Sequence, residues 1–120
     1  MIAQGTREWT PLFEVNNYTV AFEHHTHHRK FTHRLKNSTV TKDNTGVRYI
    51  GDGSWGVPEG GCGAKRLTKH PEWFEHIETD GSPNHIWKVR VIKTTETTHT
   101  IEYIAINDNN TEVFKTHDDL

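Results

Sequence analysis

The sequence predicts an α/β fold, mostly β-strand with one short N-terminal helix, in a single unit spanning residues 1–120. Two patterns carry that expectation. A helix start at Thr10-Pro11 leads within a few residues into the apolar segment Tyr18–Phe22, and a helix followed at once by a strand is half of an α/β unit. From His85 the chain alternates with period two. His85, Trp87, Val89 and Val91 share one face, and Ile86, Lys88, Arg90 and Ile92 share the other, as strands require.

Taken in order, Thr10 can cap a helix whose first residue is Pro11, a position where the missing N–H is not needed. Trp9, Leu12 and Phe13 are then expected to face inward. Asn16-Asn17 turns the chain into a strand with Tyr18, Val20 and Phe22 on one face. The polar run from Lys36 to Gly46 reads as a loop or hairpin turn, and Val47–Ile50 as a second strand. The glycine-rich turn Gly51–Gly56 and an irregular loop from Val57 to Lys69 follow, the glycines letting backbone approach other groups closely. Trp55 is expected to lie under the histidine-rich loop. Pro71–His76 suggests one helical turn. The alternating run from His85 and a second one, Ile101–Ile106, predict an antiparallel hairpin across the polar turn Thr94–Thr98. After the turn at Asp108, Val113-Phe114 opens a last short strand.

Composition narrows the function. Only 32% of residues are hydrophobic, so the core is thin, yet four Trp, five Phe and three Tyr argue against disorder. Net charge is −2 with ten neutral histidines, so surface charge should respond to mild acid. No basic run tracks a phosphate backbone, and no nucleic-acid partner is expected. Cys62 is the single cysteine, which excludes an intrachain disulfide. It sits in a glycine-rich loop without a recognisable base, which disfavours a nucleophile. Met1–Val15 lacks the apolar core of a signal peptide, and no stretch approaches the ~20 apolar residues of a membrane helix. Sequons at Asn17, Asn37 and Asn109 matter only in an exported protein. Asn17 is expected to open a buried strand.

The chemistry concentrates in Tyr18–Arg34, YTVAFEHHTHHRKFTHR. The segment contains His24, His25, His27, His28 and His33. Neutral imidazole is the commonest metal-ligand side chain, and two imidazoles one residue apart, His25 and His27, can converge at a strand end. The residues alone leave three readings: a metal site using that pair, a solvated polar loop, or a self-contained metal module. His33, His70 and His76 are further ligand candidates by residue type only.

FEHHTHHRKFTH, then VRYIGDGSWGV, then PNHIWKVRV together resemble the C-terminal part of metallophosphoesterases of the purple acid phosphatase type, in the calcineurin-like phosphoesterase superfamily. The helix segment Glu8–Phe13 is similar too, so the resemblance covers Glu8 to Phe114. It implies the C-terminal portion of a two-sheet α/β/β/α sandwich. It also implies a dinuclear centre, Fe with Zn, Mn or Fe, that hydrolyses phosphate monoesters. His25 and His27 match the two histidines of the family's Gly-His-x-His, each binding a different ion. His24 replaces the usual Gly. In the run that follows, Arg29 and Phe31 replace Tyr and Arg, while Lys30 and Thr32 match. His24 and His28 are secondary candidates for contacting substrate or supporting the ligands.

The family's remaining ligand motifs, Asp-x-His, Gly-Asp-x-x-Tyr and Gly-Asn-His-Asp/Glu, are missing from this sequence. Gly51-Asp52-x-x-Trp55 and Asn84-His85 imitate two of them in the wrong order and with the wrong residues, and are read as structural. The expectation is therefore a C-terminal fragment of an acid phosphatase-like hydrolase, inactive alone, with an open sheet edge and exposed apolar surface. No membrane partner is expected. The sequence itself carries no export signal, although complete members of the family are often secreted. The alternative is a stand-alone His-rich metal-binding β module without catalysis. A partner-binding β domain with incidental histidines is a third.

Overall fold

The computed structural model describes residues 8–24, 28–51, 69–77, 85–107 and 109–120, with the side chain of His85 excepted. His25, His27, Trp55 and Cys62, and most of the two glycine-rich segments, lie outside the described residues. Among the described residues the chain is mostly β-strand, in three sheets, with one short α-helix. No described helix is long and apolar enough to cross a membrane.

The helix α1, Thr10–Val15, forms where the Pro11 signal places it. Trp9 rather than Thr10 is its N-cap, and no side chain caps it. It ends with Asn17 in the left-handed region (φ 54°). There Tyr18 N–H donates to Phe13 C=O (2.9 Å) and Asn17 N–H to Glu14 C=O (3.1 Å), the paired bonds of a Schellman stop. Asn17 is thus an exposed turn residue, not the start of a buried strand. Of the three residues expected inward, only Phe13 turns in, against Tyr18 and Tyr49. Trp9 and Leu12 are exposed.

The first sheet has the order β1-β5-β2-β6, from β1 (Val20–Glu23), β5 (Arg48–Gly51), β2 (Lys30–Thr32) and β6 (Phe74–Ile77). β1 and β5 are parallel, while β2 runs antiparallel to both its neighbours. Among the described residues β1 has β5 as its sole neighbour. Two of these strands depart from the sequence reading. β2 was not foreseen, and Phe74–Ile77, expected to continue a helical turn, is extended after a 3-10 turn at Pro71–Trp73. The polar Lys36–Gly46 region does hold a hairpin, β3 (Leu35–Lys36) and β4 (Thr39–Val40). Asn37 and Ser38 both have positive φ (50° and 58°), the two-residue turn whose twist suits a hairpin.

The second sheet is the expected meander: β7 (His85–Lys93), β8 (His99–Asn107) and β9 (Glu112–Asp119). β9 runs well past the expected Val113-Phe114. Trp87 pairs with Ala105 and Val89 with Tyr103, and Ala105 with Phe114, so these side chains share one face. That face meets Phe31 and Ile50 of the first sheet. Phe31, fully buried, has Tyr103 at 5.0 Å, Phe114 at 5.4 Å and Trp87 at 5.5 Å between ring centroids. Tyr49 on the opposite face meets Phe13 of α1. The layers therefore run helix, sheet, sheet.

Candidate functional site

β1 and β5 are parallel, so their C-terminal ends lie at the same edge of the first sheet. β2 begins and β6 ends at that edge too, because Lys30 pairs with both Gly51 and Ile77. Three connections therefore leave from one edge. These are the histidine segment between Glu23 and Lys30, the glycine-rich segment after Gly51, and the chain after Ile77. In open α/β sheets ligands bind at such carboxyl ends.

The structure places the predicted residues unevenly. His24 follows β1 and is exposed. His28 precedes β2 and is 5% exposed, and its Nε2 has no hydrogen-bond partner among the described residues. His25 and His27 lie outside the described residues. His33 leaves the other end of β2, with Nδ1 3.9 Å from the Glu75 carboxylate. His70 is exposed and stacks on Trp73 at 4.1 Å. His76 is held by structural contacts: its Nε2 accepts from Arg29 Nε at 3.2 Å and its ring stacks on Phe114 at 4.4 Å. Trp87 packs against the core, and its Nε1–H donates to Gly51 C=O at 2.9 Å. Among the described residues no group of three or more His, Cys, Asp or Glu is placed to hold a metal ion.

Other residues at this edge escaped the sequence reading. Arg29 and Lys30 are buried beside His28. Lys30 forms an ion pair with Glu23 of β1, two strands away. Burial pushes the Lys30 ammonium down to about 8. A basic His28-Arg29-Lys30 run normally signals a solvated loop. The only local hint of its burial is Phe31 directly after it.

A second cluster lies between the sheets. The buried Asp118 carboxylate of β9 accepts from Arg34 Nη2 (2.9 Å), Arg48 Nε (2.8 Å) and the Tyr103 hydroxyl (3.1 Å), and pairs again with Arg48 Nη2. Arg48 Nη1 also donates to Thr32 C=O (2.6 Å) and to the Glu75 carboxylate (2.8 Å). Its guanidinium lies 4.4 Å over the Phe31 ring. Burial opposes charge on both partners. The two guanidinia outweigh it at Asp118, holding that carboxyl below its ordinary value, and the Asp118 and Glu75 carboxylates hold Arg48 above its own. Burial pushes the Tyr103 hydroxyl up, with the Asp118 charge adding to it. Each of these charges meets an opposite one, so the cluster fastens β9 to the first sheet.

No known protein family matches the chain, and no curated protein or solved structure matches it either.

Proposed function

We propose that this chain supplies the His-x-His half of a dinuclear metal centre in a phosphoric monoester hydrolase, within the C-terminal portion of a metallophosphoesterase sandwich. The observation that carries the reading is the parallel β1/β5 pair. It aligns Glu23 with Gly51, the residues from which the histidine and glycine-rich segments depart, at one edge of the sheet, where α/β folds bind ligands. The helix–sheet–sheet layering and the three-part sequence resemblance support it.

The donor chemistry fits the group in part. His25 and His27 would each hold one ion. The His28 imidazole, buried with Nε2 unpaired among the described residues, is available to a ligand or substrate oxygen, and His24 is exposed directly after β1. When bound, such a centre supplies an acidified water and a clamp on the phosphoryl oxygens, its ions about 3.5–4 Å apart. A site of this kind needs several more ligands, carboxylates among them, and the corresponding motifs are missing from these 120 residues. The chain alone therefore binds metal weakly and does not turn over.

A second reading, a stand-alone metal-binding β module, is favoured by one observation: the two sheets close their own core around Phe31, Ile50 and Tyr103. Zinc calorimetry on the wild type and on His25→Ala and His27→Ala, with a chromogenic phosphate ester assayed under Fe, Zn or Mn, separates the readings. We expect weak binding lost in either variant, and no hydrolysis. Tight binding that also needs His24, His28 or His33 selects the module, and binding indifferent to His25 and His27 overturns both. Turnover comparable to a complete enzyme would contradict the incomplete ligand set.

A further inference from the structure

We infer that Glu23, Gly51 and Lys30 form a positioning row that fixes the two stems of the histidine segment relative to each other. The row is defined by described residues. Its consequence for metal binding rests on the functional reading above.

Glu23 pairs with Gly51 across β1/β5, and Gly51 with Lys30 across β5/β2. The three residues are therefore aligned across three strands and share a face. Glu23 and Lys30 stand about 9.5 Å apart in backbone, two strand spacings. For their side chains to meet, one must cross the middle strand, and Gly51 leaves that path open. A Cβ there would lie 2.3 Å from Lys30 Cε, 2.4 Å from Lys30 Cγ and 2.8 Å from Glu23 Oε1. Gly51 thus serves a close approach of side chains rather than a turn. The crossing ends in the Glu23–Lys30 ion pair, with Lys30 only 7% exposed.

Burying a lysine is unfavourable even when it is paired, and an apolar residue would hold the sheet together at lower cost. This row stands where its geometry has a further use. Glu23 is the last residue of β1 before the histidines and Lys30 the first of β2 after them. An ion pair between them closes the base of the segment that carries His24, His25, His27 and His28. Groups hydrogen-bonded directly to metal ligands alter affinity by ~10–100-fold when removed, which sets the upper bound for a row that acts through the strand ends.

The test uses Lys30→Met, Gly51→Ala and the swapped pair Glu23→Lys/Lys30→Glu. Without metal, amide exchange of the β1 and β2 stems, Phe22–Glu23 and Lys30–Phe31, should accelerate about tenfold in the first two variants and recover in the swap, with Ile101–Ala105 of β8 unchanged. Zinc affinity should fall by up to ~10–100-fold in the same two and recover likewise. A wild type that binds no zinc sinks the metal reading but leaves the exchange result to decide the row. Exchange that is unchanged in Lys30→Met and Gly51→Ala overturns the inference. So does acceleration that persists in the swap, because packing alone would then explain it. If Lys30→Met unfolds, which β8 exchange would reveal, Gly51→Ala decides by itself.

Discussion

Replacing Asp118 with alanine tests how the two sheets are held together. The side chain accepts from two buried guanidinia and from Tyr103, so its loss leaves Arg34 and Arg48 without their main counter-charge inside the protein. Removing one partner of a buried ion pair costs ~3–5 kcal/mol, against a total of ~5–15 kcal/mol for a typical domain. With a urea m-value of about 2 kcal/mol/M, the midpoint should fall by about 2 M. Urea unfolding followed by far-ultraviolet circular dichroism measures this. Replacing the three buried charges together, as Arg34→Met/Arg48→Leu/Asp118→Leu, should cost less than the single change, since only the half-buried Glu75 carboxylate then loses a partner. Acid gives an independent check. The Asp118 carboxyl is held below its ordinary value of 3.8, so its contribution is complete above about pH 4 and fades as pH falls toward its folded value. The alanine variant should lack that part of the acid sensitivity. A loss below ~1 kcal/mol, the worth of a surface pair, would refute the reasoning.

Three further outcomes are expected. Gly46 has φ +86°, and a Cβ there would lie 2.8 Å from the Leu35 carbonyl oxygen, so Gly46→Ala should lose ~1–3 kcal/mol by thermal or urea unfolding. Lys30 in the folded chain holds its proton only to about pH 8, against 10.5 when unfolded. The unfolded state therefore binds more protons between those values, and stability rises with pH across that window. The difference between wild type and Lys30→Met should show this rise, and a flat difference would contradict it. Trp87→Phe keeps the ring beside Phe31 but removes the donor to Gly51 C=O, and should lose ~1 kcal/mol in the same urea assay.

The legible parts of the fold were those with a local signal. Period-two alternation marked β7 and β8, and Pro11 marked α1. The polar stretch before Val47 was readable as a loop or hairpin turn. β2 gave no such signal, because Phe31 is the one apolar residue between His27 and Leu35. It is buried because its neighbours find opposite charges outside the strand: Lys30 meets Glu23 of β1, and Arg34 meets Asp118 from 84 positions away. β6 was hidden because Pro71-Glu72-Trp73 begins like a helix and in fact makes a single 3-10 turn. In β9 the residue that matters most, Asp118, looks like part of an acidic tail. For the candidate site, the sequence located the histidine segment, and the topology supplied what periodicity could not: which other connections share its edge of the sheet.

Cobalt titration followed by visible absorption tests the central claim most directly, because the d–d bands of Co(II) shift and change intensity when imidazole replaces water as a ligand. The account predicts a weakly saturating band in the wild type that disappears in both His25→Ala and His27→Ala and survives His70→Ala. A band of unchanged intensity and midpoint in the His25→Ala/His27→Ala double variant would contradict it.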